Sequence, residues 1–198
     1  MQKELSATVV SWAASDHVLA WMRPIGIVLG GSALVAASAH VALPLWFTPV
    51  PLTLQPFAVL LLGLLLVPRL AAATLATYLA EGALGLPVFT PTAGMTMGIA
   101  HLTGPTGGYL MAYPAAAALI SFLWRSSGRG FQMALVSAAA GNVLILMSGA
   151  LWLAMLTHVP ARPLIPMAVL PFLPGDALKV AAAAALASGW QRMRRRAQ

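Results

Sequence analysis

Residues Phe131 to Leu156 read FQMALVSAAAGNVLILMSGALWLAML, with no Asp, Glu, Lys or Arg among them. A helix needs about 20 apolar residues to cross a hydrocarbon layer of roughly 30 Å, and lipid offers the backbone no partners, so such a segment must close its own hydrogen bonds. The run therefore predicts a transmembrane helix and, with it, an all-α membrane protein. The composition agrees: 60% of residues are hydrophobic and 8% charged, against about 25% charged in a soluble domain. Mean hydropathy is +0.87.

Five further apolar runs flank this one. The first extends from Ile25 to about Leu43, the second from about Thr53 to Val67, and the third from Arg69 to about Leu84. The fourth covers Gly108 to Trp124 and the sixth Pro171 to Trp190, with Phe131–Leu156 as the fifth. The expected fold is a six-transmembrane-helix bundle over 24–191. Residues 1–23 form an N-terminal segment, read either as an interfacial helix carrying Leu5, Val9, Val10, Trp12 and Leu19 or as a disordered tail, and 192–198 form a basic tail. Glu4, Asp16 and His17 argue against a cleaved secretory signal in this segment.

Charge placement sets orientation. The net charge of +7 invites a nucleic-acid reading, but the cations stand at the ends of apolar runs, which marks membrane topology and excludes nucleic acid as the partner. With six spans, Lys3, Arg23, Arg69, Arg125, Arg129, Arg192, Arg194, Arg195 and Arg196 share one side, and Arg162 and Lys179 the other. Cytoplasmic loops carry the excess of Lys and Arg, so both termini are expected in the cytoplasm of a multi-pass protein of the cytoplasmic membrane. The outer connections are then Pro44–Leu52, Gly85–Gly107 and Thr157–Leu170. The second, semi-apolar and rich in Gly, Pro and Thr, is too long for a plain connection and is expected to fold back as a lid.

Ionisable groups inside the membrane cost roughly 2.5–3.5 kcal/mol each at a helix centre. Asp176 and Lys179 follow Pro174-Gly175 and lie three apart, on one helical face. They can pair or share a polar ligand; alternatively Asp176 caps the sixth helix and Lys179 snorkels outward. Glu81 faces either the bundle or the outer headgroups. Gln55 and Asn142 are interhelical glue or ligand contacts. Trp46, Phe47, Phe89, Tyr109, Tyr113 and Trp152 are an interfacial belt or the walls of an apolar slot. His40, His101 and His158 lack the spacing of a zinc site, and there is no cysteine, so no metal is expected. No GxxxxGK[ST] loop, GxSxG or HExxH occurs, so neither an ATP site nor a hydrolase apparatus is visible and no cofactor is expected. Ala33 and Ala37 form a small-xxx-small pair that lets another helix approach the first span.

Four stretches taken together resemble the BioY family: Pro49-Val50-Pro51-Leu52-Thr53-Leu54-Gln55, Gly85-Leu86-Pro87-Val88-Phe89, Gly104-Pro105-Thr106-Gly107-Gly108-Tyr109, and Pro171-Phe172-Leu173-Pro174-Gly175-Asp176-Ala177-Leu178-Lys179. That family comprises the biotin-specific S components of energy-coupling factor (ECF) transporters. The resemblance implies six spans, cytoplasmic termini and biotin captured near the outer face. It implies Asp176 and Lys179 as biotin contacts, with Tyr109, Gly107 and Gly108 beside them; Phe89, Gln55, Glu81 and Asn142 are further candidates for the substrate site. It also implies a transmembrane scaffold subunit and two ATPases as partners, docking on the Ala33/Ala37 face, and is compatible with a homo-oligomer. The chain departs from the family pattern at Thr90–Met97, where many members have a glycine run, and at Leu110, where some have a basic residue. The alternatives are an S component for another vitamin, such as thiamine or riboflavin, and an intramembrane enzyme using Glu81 or Asp176 with His101 as acid and base.

Overall fold

Proline decides where several of the helices begin and end. The computed structural model describes residues 22–91, 98–158 and 160–197. In it α1 runs Met22–Ala39, α2 Gln55–Leu65, α3 Pro68–Ala83, α4 Ile99–Leu102, α5 Gly107–Ser126, α6 Phe131–Thr157, α7 Ala161–Ala168 and α8 Leu173–Arg196. A two-stranded antiparallel ladder, β1 (Ala42–Leu43) and β2 (Leu52–Thr53), pairs Ala42 with Thr53 and Leu43 with Leu52. The expected N-terminal segment and part of the expected lid lie outside the described residues.

The break between α2 and α3 illustrates the local logic. A residue before proline is driven out of the helical region, and Val67 is extended (ψ 154°) ahead of Pro68, which opens α3. Leu66 is extended too, which stops α2 after 11 residues. The carbonyls orphaned there find donors on α5: Ser121 Oγ donates to Leu66 O at 2.6 Å, and Arg125 donates to Leu66 O at 3.3 Å and Leu65 O at 3.2 Å. Arg125, read from sequence as a topology signal, thus also caps the negative end of α2.

Small residues bring the helices close. Trp152 of α6 lies on Gly108 of α5, and the Tyr109 ring lies on Gly149 of α6; a Cβ at either glycine would meet these side chains at 2.1–2.2 Å. Ala183, Ala184 and Ala187 of α8 are fully buried in a cluster with Leu60, Leu64, Trp124, Ala134 and Ala138. α1 is seated on α3 through Gly31 against Thr74 and through Ser32 Oγ, which donates to Glu81, and its Val35 is fully buried in the core. Its outer side leaves Ile25, Leu29 and Leu34 exposed, and α6 leaves Val136, Val143, Met147 and Leu151 exposed. Apolar faces of that extent need lipid or a partner.

Among the described residues α1, α5 and α6 are long and apolar enough to cross a membrane, and the pair α7 and α8, bent by 47°, makes a fourth candidate span. The chain is a helical membrane protein. Several expected boundaries are corrected. The first span ends at Ala39 because the chain turns into the β1–β2 hairpin. The second contains only 11 helical residues, for the reason given above. The connection at 157–170 is not irregular: it holds α7, whose Pro163 falls in the first turn, where a missing N–H costs nothing. The connection at 85–107 holds the single turn α4, entered through Gly98 at φ 78°, a conformation that favours glycine.

Candidate functional site

The first turns of α8 carry the acidic and basic residues that sequence spacing puts on one face. Lys179 Nζ donates to Asp176 Oδ1 at 3.0 Å, and Asn142 Nδ2 of α6 donates to Asp176 Oδ2 at 3.1 Å. Asp176 is 3% exposed and Lys179 9%. Asp176 is therefore not a helix cap: α8 has no side-chain cap at all, and the carboxylate is held by an ammonium and an amide from across the bundle. Nor does Lys179 snorkel outward. Burying an ion pair is costly unless its remaining hydrogen-bonding capacity is used. Here a carboxylate with about four acceptor positions and an ammonium with three donors have two partners and one, respectively, among the described residues. The surplus faces a cavity.

Asp176 and Lys179 line that cavity with Tyr109 and Tyr113 of α5, Ile145 and Leu146 of α6, Phe172 before α8, Gln55 and Pro56 of α2, Val50, Pro51 and Thr53 of the hairpin, and Thr90, His101, Thr106 and Leu110. The space amounts to about 550 Å³ with the open solvent at its mouth included. Its walls are apolar and aromatic; its polar groups are few and placed.

Two networks hold those groups. Gln55 Nε2 donates to Tyr78 Oη, which donates to Val88 O at 3.1 Å; Gln55 Oε1 accepts from Thr90 at 3.0 Å and from Thr53 at 3.3 Å. The amide thus clamps the start of α2 to α3, β2 and the segment after α3. Phe89 packs edge-on to Tyr78 and stacks on His101 at 4.9 Å, which brings α4 to the cavity wall. On the other side Tyr109 Oη donates to Ala168 O at 2.8 Å, fixing α7 against α5, and Trp152 Nε1 donates to Gly104 O at 2.9 Å. Three buried side-chain oxygens have no partner among the described residues: Asn142 Oδ1, Thr106 Oγ1 and Ser137 Oγ of α6. A buried polar atom left unpaired costs about 1–3 kcal/mol; Thr106 lines the cavity and Asn142 stands behind its acidic wall.

The family model for the "BioY family" matches residues 5–196. The chain belongs to the BioY family. A probable biotin transporter BioY from Pyrococcus horikoshii is 38% identical over 169 residues, covering 85% of this chain and 96% of that protein. A biotin transporter BioY from Thermotoga maritima is 36% identical over 156 residues, covering 79% and 88%. Among solved structures, the S-component for biotin from an ECF-type ABC transporter superposes with a TM-score of 0.78 at 26% identity, over 86% of this chain and 92% of that one.

In this BioY-family chain the cavity brings together six residues singled out by sequence, Asp176, Lys179, Tyr109, Tyr113, Gln55 and His101, with Asn142 bonded directly behind Asp176. It does not bring in the others. Glu81 accepts from Ser32 and ties α3 to α1. Gly107 and Gly108 are absent from the lining; a Cβ on Gly107 would come within 1.8 Å of Leu102 O, and Gly108 lies under Trp152, so both glycines serve close packing. Phe89 stands one layer back, behind His101. Ala33 and Ala37 are exposed on α1 and absent from the lining. Sequence reasoning missed Tyr78, Thr90, Thr106 and Phe172; the last two lie within the quoted motifs, which was the available signal.

Proposed function

We propose that this chain is the substrate-specific subunit of an ECF-type uptake system: it captures biotin at the outer face of the cytoplasmic membrane in the cavity lined by α2, α5, α6 and α8, and is not an enzyme. Family membership supports the ligand, and one observation carries the site: a buried Lys179–Asp176–Asn142 chain ending at a largely apolar cavity. The chemistry suits biotin. Its ureido N–H groups need acceptors, which Asp176 offers; its ureido oxygen or its carboxylate needs a donor, which Lys179 offers; its apolar ring and tail suit Tyr109, Tyr113, Ile145 and Phe172. Six spans with both termini cytoplasmic fit the nine-to-two partition of Lys and Arg. ATP-driven work then falls to a transmembrane scaffold and two ATPases, with the exposed Ala33/Ala37 face of α1 as the docking surface.

Equilibrium binding of labelled biotin, thiamine and riboflavin to the detergent-purified protein tests the reading. Stoichiometric, saturable binding of unmodified biotin alone is expected. Preference for either other vitamin, or chemical turnover of biotin, would overturn it.

A further inference from the structure

At the end of α5 and α8 remote from the cavity, a second cleft opens between the α5–α6 turn and the last turns of α8. It lies roughly 27 Å from Asp176, counting about 18 residues to Arg194 at about 1.5 Å each. Arg125, Arg129, Arg194 and Arg195 line it, its walls include Leu64, Leu65, Trp124 and Trp190, and its volume is about 1120 Å³, mouth included. Arg129 and Arg195 also line an adjoining hollow with Arg192, over Phe131.

No carboxylate among the described residues balances this charge. They contain two, Glu81 and Asp176, and both belong elsewhere: Glu81 is bonded to Ser32, Asp176 to Lys179 and Asn142. Arg125 is engaged by the carbonyls of α2, and the Arg194 guanidinium lies 5.0 Å over the Trp190 ring. A topological bias toward basic loops accounts for the sign of the charge but not for its gathering around a walled cleft. The setting is that of a membrane interface. Trp124 and Trp190 stand where helices long enough to cross a bilayer end, the level at which tryptophan concentrates, and exposed Phe131, Val136, Leu186 and Trp190 continue from the rim along α6 and α8. Planar guanidinium groups match phosphate oxygens bidentately, and basic pockets between transmembrane helices suit anionic head groups.

We propose that this cleft binds the phosphodiester head group of an anionic phospholipid, with its acyl chains along the exposed faces of α6 and α8. The site is independent of the biotin cavity.

The test measures binding of a fluorescent phosphatidylglycerol, with the matching phosphatidylcholine as neutral control, to the full chain in a non-ionic detergent. The variant is Arg129→Gln/Arg194→Gln/Arg195→Gln, with Arg125 kept because it holds α2. Wild type should prefer phosphatidylglycerol by about tenfold or more, and the variant by less than about twofold, with biotin binding intact as proof of folding. If the variant does not fold, the wild type still decides: the preference should collapse between low and about 0.5 M salt, where screening is short-ranged. Equal binding of the two lipids, or a preference that survives the substitutions or the salt, overturns the proposal. So does displacement of the lipid by an equal concentration of inorganic phosphate, which would make the cleft a free-anion site, or by a hexaglutamate peptide, which would assign it to a protein partner.

Discussion

Removing the ammonium of Lys179 while keeping the carboxylate of Asp176 separates what the pair does for the fold from what it does for a ligand. In Lys179→Met, Asp176, 3% exposed in the wild type, keeps Asn142 at 3.1 Å as its remaining side-chain donor. Leaving one member of a buried pair uncompensated costs about 3–5 kcal/mol, so the variant should melt well below wild type. Adding Asp176→Asn removes the second charge and restores an amide that Asn142 can still meet, and replacing a whole buried pair with neutral groups is often neutral in stability. The double variant should therefore recover most of the lost stability. Biotin affinity should not recover: a charge-assisted hydrogen bond contributes about 1.5–3 kcal/mol, so each loss weakens binding by roughly 10- to 150-fold. Thermal unfolding in detergent and equilibrium biotin binding, measured on both single variants and the double, make the comparison. A double variant that is stable and binds biotin as wild type does would refute the site; one that stays as unstable as Lys179→Met would refute the account of the pair's energetics.

Gly149→Val should force the Tyr109 ring, which lies 2.2 Å from where a Cβ would stand, off α6 and break its bond to Ala168, costing about 1–3 kcal/mol and weakening biotin binding. Gly189→Ala, with open space around it, should leave affinity unchanged and raise stability by about 0.5–1 kcal/mol, and calorimetry with binding on both variants tests the contrast. Arg125→Met strips the side-chain donor from Leu65 O and leaves Leu66 O with Ser121 alone, and should lower the melting temperature while Arg125→Lys recovers part of it; identical melting of the two would remove the capping role. Reporter fusions after Arg196 and within the α6–α7 connection should fall on opposite sides of the membrane, and the same side for both would end the six-span topology.

How much of this was legible in the sequence varies with the range of the interactions. α5 and α6 match the fourth and fifth apolar runs to within about two residues at each end, because lipid-crossing helices are written in uninterrupted local hydropathy. The Asp176–Lys179 contact was legible because a spacing of three along a helix fixes a shared face. α2 was not, since its end depends on Pro68 acting backwards through Val67 and on donors from Ser121 and Arg125, 55 to 60 residues away. α7 hid behind Pro163 and Pro166, which read as breakers unless one of them is known to occupy the first turn. Glu81 shows the same limit: composition marks it as an unusual intramembrane carboxylate, but only packing turns it toward Ser32 on α1 and away from the cavity. The clamp at Gln55 joins residues 23 and 35 apart in the chain, a separation that no local pattern encodes.

Lys179 and Asp176 sum to zero charge, and that bears on voltage. Carrying one unpaired charge through a membrane potential involves about 2.3 kcal/mol per 100 mV, so a pocket built around a solitary lysine would feel the cell's electrical state whenever its depth in the bilayer changed. With its counter-charge bonded 3.0 Å away, the pair leaves the field nothing to pull on but a short dipole. The membrane potential then acts only on whatever charge the ligand itself brings, and the pocket adds no voltage dependence of its own.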